Sequence, residues 1–163
     1  MTVTDVQQDP TTLTLTIRSE YPSPVDRVWQ MWADPRKLER WWGPPTFPAT
    51  VTEHNLTTGG RVVYFMTSPE GDRHFGWWEF DAVDAPTSLR FQDGFGDDTG
   101  APVPDMPVSS IAVDLADSDS GTTMIIATTF PSAEAMEQMI SMGMAEGMAL
   151  ALGQIDDLLA GDA

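Results

Sequence analysis

The sequence predicts an α+β domain in which a curved antiparallel sheet wraps one long C-terminal helix, with two short helices after the first strand. Three observations carry this. Leu13, Leu15 and Ile17 alternate with Thr12, Thr14, Thr16 and Arg18, the period of a strand with one buried face. From Ala49 to Phe130 strand-like segments alternate with short turns, which implies antiparallel hairpins. From about Ser132 to Leu159 apolar residues, many of them methionine, recur at helical spacing.

Taken in order, residues 1–11 are polar and read as a disordered lead-in to a domain spanning 12–160. The first strand ends at Pro22 and Pro24, where Ser23 is a candidate cap for a helix carrying Val25, Val28, Trp29 and Trp32. Asp34-Pro35 opens a second helix with Leu38, Trp41 and Trp42 on its apolar side, and Gly43-Pro44-Pro45 stops it. Strands follow at Ala49–His54, Gly60–Thr67, Arg73–Val83, Ser88–Asp93, Val108–Leu115 and Thr122–Phe130. Their turns are rich in Gly, Pro, Asp and Ser. The longest loop, Gly94 to Pro107, suits either a gate over a pocket mouth or a disordered excursion. Pro131-Ser132 then starts the last helix, with Glu134 and Glu137 where the macrodipole favours them. One face of that helix collects Met136, Ile140, Gly143, Gly147, Ala151, Gln154 and Leu158, flanked by Met139, Met144 and Leu150, while Ala145 falls on the other side. Glycines inside a helix cost about 1 kcal/mol each against alanine. On a buried face they imply either close approach of the sheet or space kept open.

Composition narrows the function. The 163 residues suffice for one core and a cavity, and no apolar run reaches membrane-span length. The amino terminus lacks the basic-then-apolar order of a signal peptide, so a cytoplasmic location is expected. There is no cysteine, which excludes disulfides and thiolate chemistry. A net charge of −17 repels phosphate backbones, so no nucleic-acid partner and no membrane insertion are expected. The charge leaves open plain solubility, acid adaptation to salt, or a basic protein partner.

No catalytic constellation stands out. His54 and His74 are not at metal-ligand spacing, and neither a metal nor a cofactor is expected. His54 reads as exposed near a turn. His74 reads as ordinary strand structure or as a polar anchor in a pocket. Glu79, on the same strand face as Trp77, is either an outward charge or an acid–base group in an apolar cavity. Alternation alone does not say which face is inward. Asp93, Asp97 and Asp98 lack the order of a calcium loop and read as solvated. An apolar ligand site would take Trp41, Trp42, Phe65, Trp77 and Phe91 from the sheet side. From the helix it would take Met136, Met139, Ile140, Gly143, Met144 and Gly147.

Several features occur together in one known order. They are Ser23-Pro24-Val25-Asp26-Arg27-Val28-Trp29, Trp32 with Asp34-Pro35, and Trp41-Trp42-Gly43-Pro44. Gly59-Gly60-Arg61, Pro69-Glu70-Gly71 and Met142-Gly143-Met144-Ala145-Glu146-Gly147 complete the set. Over about residues 12–160 the chain resembles the START-like, or SRPBCC, superfamily, in the branch related to the C-terminal domain of the heat-shock-protein-90 ATPase activator. The resemblance implies a helix-grip fold. One departure is Met148, where relatives often carry tryptophan. The activator's chaperone-stimulating N-terminal domain has no counterpart in this sequence, which weakens the expectation of a co-chaperone role. The resemblance implies a module that binds a hydrophobic small molecule. A second implied role is a cyclase- or dehydrase-type enzyme acting on an aromatic or polyketide-like substrate, with His74 and Glu79 as polar groups. A third is a chaperone-associated protein-binding module. Monomer and homodimer both stay open.

Overall fold

A computed structural model describes residues 2–161. Eight strands form one antiparallel sheet: β1 (Val3–Asp9), β2 (Thr14–Tyr21), β3 (Ala49–His54), β4 (Arg61–Thr67), β5 (Arg73–Asp84), β6 (Ser88–Gly96), β7 (Ser109–Ser118) and β8 (Gly121–Thr129). Their spatial order is β1-β2-β8-β7-β6-β5-β4-β3. The first two strands therefore join the last, and the middle strands form a meander. Helices α1 (Val25–Ala33) and α2 (Pro35–Trp41) follow β2, and α3 (Ala133–Ser141) and α4 (Met144–Gly161) follow β8. This is the helix-grip α+β fold that the alternation and the helical spacing predict.

The sheet's inner face and the helices share one core. Leu15, Ile17, Phe80, Leu89, Phe91 and Met124 are almost fully buried from the sheet side. Trp32, Trp41, Leu152 and Ile155 meet them from the helices. Trp78 and Phe91 stack with centroids 4.3 Å apart, and Trp42 meets Trp78 edge-on at 4.7 Å. Each such aromatic pair contributes about 0.5–1.5 kcal/mol beyond its buried area.

Four elements depart from the expectation. Residues 3–9 are a strand, paired with β2 from Val3↔Ser19 to Asp9↔Thr14, where the polar sequence predicts a disordered lead-in. All but one of the strand's residues are exposed, so it is held by ladder hydrogen bonds and leaves no hydrophobic alternation to read. The Asp9 carboxylate shapes its turn by accepting from the Thr11 and Thr12 N–H groups at 2.9 and 3.3 Å. Ser23 makes no cap; Pro24 occupies the cap position of α1, and the Ser23 carbonyl instead accepts from the Thr122 hydroxyl at 2.6 Å. His54 is half-buried rather than exposed, its Nε2 3.0 Å from the Trp32 carbonyl.

The fourth departure shapes the site. The C-terminal segment is two helices, not one. Gly143 takes a φ of +88°, a conformation that L side chains resist, and the Gly143 N–H donates to the Ile140 carbonyl at 3.0 Å. The break turns α4 relative to α3, so the face of a continuous helix no longer applies. Ala145, assigned by periodicity to the solvent side, is buried.

Candidate functional site

Between the sheet and the α3–α4 break lies a cavity of about 260 Å³. Tyr64, Met66, His74 and Asp93 line its sheet side, and Met139, Met144, Gly147 and Met148 its helix side. Trp42 and Pro44 from the end of α2, and Pro107 and Ser109 from the approach to β7, complete the wall. The volume sits just below the usual range of small-molecule sites, about 300–1,000 Å³. Three methionines from the helices and one from β4 give it deformable, polarisable surfaces.

Local sequence explains why this space stays open. A Cβ built on Gly147 meets nothing within 4 Å, so the glycine faces open space. Gly76 does the opposite: a Cβ there would lie 2.4 Å from the Tyr64 ring and hydroxyl. The glycine thus lets the Tyr64 ring lie flat across β5. Trp42 is held from behind, because the Gln154 amide on α4 donates to the Trp41 and Gly43 carbonyls at 3.2 and 2.7 Å. Those carbonyls end α2, so one α4 side chain both satisfies a helix terminus and fixes the ring that forms the cavity's end.

The polar part of the cavity is the pair Tyr64 and Asp93. The Tyr64 hydroxyl donates to Asp93 Oδ1 at 3.4 Å, a long bond. Burial raises the Asp93 carboxyl to about 7, opposed by the Tyr64 hydroxyl and then by the Trp78 indole, both of which favour the charged form. Burial, and next the Asp93 charge, hold the Tyr64 hydroxyl well above its ordinary value. The indole N–H groups of Trp42 and Trp78 are buried and bear on this pair, but neither makes a hydrogen bond of good geometry.

The candidate site residues separate into groups. Trp42, Met139, Met144 and Gly147 come together around the cavity, and His74 lies on its exposed rim with its ring 6.0 Å from Phe47. Trp41 and Phe91 are solid core; the Trp41 indole N–H is spent on the Met31 carbonyl at 2.8 Å. Met136 and Ile140 line a separate surface groove with Gln8, Pro10 and Leu13. Gly143 forms the helix break.

Phe65, Trp77 and Glu79 lie on the other face of the sheet, because alternation places Tyr64, Gly76, Trp78 and Phe80 inward. Glu79 is exposed there, so it does not face the cavity as an acid–base group would. Phe65 packs on Phe75 at 5.3 Å under the Arg73 guanidinium. Trp77 is covered, and its indole N–H donates to the Phe95 carbonyl at 3.0 Å. The 97–105 loop folds onto this outer face, where the Gly100 carbonyl accepts from Arg61 at 2.8 Å and Gly100 abuts Val63. Residues 97–105 are therefore not a free excursion, while Gly94, Phe95 and Pro107 at the ends of the Gly94–Pro107 segment line the cavity.

Tyr64 and Asp93 are the polar groups that the sequence reading misses. Asp93 closes the predicted strand and reads, with Asp97 and Asp98, as solvated, yet β6 runs on to Gly96 and puts Asp93 opposite Trp78. The missed signal is alternation carried through Leu89, Phe91, Asp93 and Phe95. Among the described residues no cluster of His, Cys, Asp and Glu could hold a metal ion, and no helix is long and apolar enough to cross a membrane.

Comparison with known proteins agrees with this architecture. A crystal structure of a protein from Mycobacterium smegmatis is 51% identical, covers 96% of each chain and superposes with a TM-score of 0.89. A solution structure of a protein from Arthrobacter aurescens is 47% identical over 98% of this chain and 93% of that one, with a TM-score of 0.93. The crystal structure of an AHSA1 protein from Silicibacter pomeroyi, 21% identical over 92% of this chain and 99% of that one, shares the fold with a TM-score of 0.72. No curated protein matches. The profile of the family described as Activator of Hsp90 ATPase homolog 1-like protein matches residues 22–160, and the chain belongs to that family.

Proposed function

We propose that this protein binds a small, mostly apolar molecule in the cavity between β4–β6 and the α3–α4 break. One observation carries the reading: the helix wall opposite the sheet is built of Met139, Met144 and Met148 around Gly147, whose position faces open space. A helix interior normally disfavours glycine by about 1 kcal/mol. Filling the space with a larger residue would be the simpler packing solution, which supports a use for the opening. A chaperone-associated role rests on the family description alone.

The test is a fluorescence titration with phenylnaphthylamine, a neutral apolar probe, against wild type and Gly147→Leu. Saturable binding to wild type that is lost in a folded Gly147→Leu chain supports the reading. Equal binding to both chains, or none to wild type, overturns it. A second reading, proton-transfer chemistry of the cyclase or dehydrase kind, is favoured by Asp93, whose value near 7 suits a general acid or base. Under it, Asp93→Asn abolishes turnover of a substrate that still binds.

A further inference from the structure

Resting on the cavity reading above, we infer that the ligand carries a hydrogen-bond-accepting oxygen, a carbonyl or its equivalent, which seats at the Trp42–Tyr64–Asp93 end while the apolar body lies against the methionines. The polar end is rich in donors. The Trp42 and Trp78 indole N–H groups are buried without a hydrogen bond of good geometry, and the rings are 6% and 1% exposed. Buried polar groups are normally satisfied, and each exception asks for an explanation. Trp42 forms the cavity wall. Both indoles bear on the Tyr64 hydroxyl, and of these three donors Trp42 and Tyr64 belong to the cavity wall. The acceptor already present there, Asp93 Oδ1, holds the Tyr64 hydroxyl only at 3.4 Å.

The ligand chemistry follows from this count. A purely hydrocarbon ligand would leave the indole N–H groups as they are. A cationic head would meet the Asp93 carboxylate but would set its own N–H donors against the indoles. One acceptor oxygen shares the Trp42 and Tyr64 donors. When it carries its proton, Asp93 adds a third.

Three probes with one skeleton separate these cases: acetylnaphthalene with a carbonyl, isopropylnaphthalene with the same shape and no acceptor, and naphthylethylamine with a cationic head. Binding is measured by calorimetry on wild type, Tyr64→Phe and Trp42→Phe, with a thermal melt on each chain. The expected result is acetylnaphthalene about tenfold tighter than isopropylnaphthalene on wild type, from one or two net hydrogen bonds. On a folded Tyr64→Phe chain the preference falls to within about twofold while isopropylnaphthalene is unaffected. Trp42→Phe serves the same purpose if Tyr64→Phe does not fold. Equal affinity of the ketone and the hydrocarbon on wild type overturns the inference and leaves the apolar-cavity reading standing. Tightest binding by the amine overturns it in favour of a cationic ligand. Binding of none of the three overturns both.

Discussion

Replacing Asp93 by asparagine should change how stability depends on pH, and the sign follows from the position of the carboxyl. In the unfolded chain an aspartate titrates near 3.9. In the folded chain burial raises Asp93 to about 7. The folded state therefore holds this proton more tightly between about pH 4 and pH 7. Stability linked to the group is fully present below about pH 4 and is lost as pH rises through about 7, then stays level. A displacement of about three units sets a ceiling of about 4 kcal/mol. Asp93 is only half-buried and faces a cavity that water can enter, so about 2 kcal/mol is the expected loss. Asparagine keeps a carbonyl oxygen for the Tyr64 hydroxyl and does not titrate. Urea unfolding of both chains at pH 4.5 and pH 8 isolates the effect, because the remaining acidic groups are common to the two. The wild type should be less stable relative to Asp93→Asn at pH 8 than at pH 4.5. A wild-type-minus-variant difference that stays constant with pH would show Asp93 to be an ordinary solvated carboxylate and refute the reasoning.

Other outcomes follow from the same geometry. Gly147→Ala should raise stability by up to about 1 kcal/mol, since its Cβ meets open space in a helix, whereas Gly143→Ala should lower it by about 1–2 kcal/mol because its φ is +88°. Chemical denaturation of the two single variants checks the opposite signs. Gly76→Ala should cost about 1–3 kcal/mol and displace the Tyr64 ring, read by denaturation together with the tyrosine ring signals in NMR. With a net charge of −17, the melting temperature should rise between low and moderate salt as self-repulsion is screened, and a flat calorimetric profile would count against that origin.

Most of the architecture is legible in the sequence because it rests on periodicity. Strands β3 to β8 follow alternation and turn residues closely, and Ser132 caps α3 as its position predicts, accepting from the Ala135 N–H. What escapes has a physical cause in each case. Strand β1 is held by its backbone, so its side chains carry no pattern. Trp77 and Trp78 are adjacent, and alternation separates them onto opposite faces without saying which ring is inside. Pairing settles it, with Trp78 opposite Val62 and Asp93. Asp93 looks like a solvated strand end because an acidic side chain before Gly-Phe-Gly reads as the approach to a turn, yet it continues an inward face. Gly143 and Gly147 look alike in sequence. One supplies a left-handed turn and the other leaves a void, a difference set by backbone angle rather than residue type. The cavity's helix wall was therefore readable in part, through Met139, Met144 and Gly147. Its polar end was not, because it depends on where β6 stops.

Methyl-labelled methionine NMR during titration with phenylnaphthylamine reads occupancy of the cavity by an apolar ligand. The described methionines report from distinct places. Met66, Met139, Met144 and Met148 line the cavity, Met31 and Met124 are buried in the core, and Met106 and Met142 are exposed. Saturable shifts of the four cavity methyls are expected, with Met31 and Met124 unmoved. Shifts confined to Met106 and Met142, or no shifts at saturating probe, would contradict such occupancy.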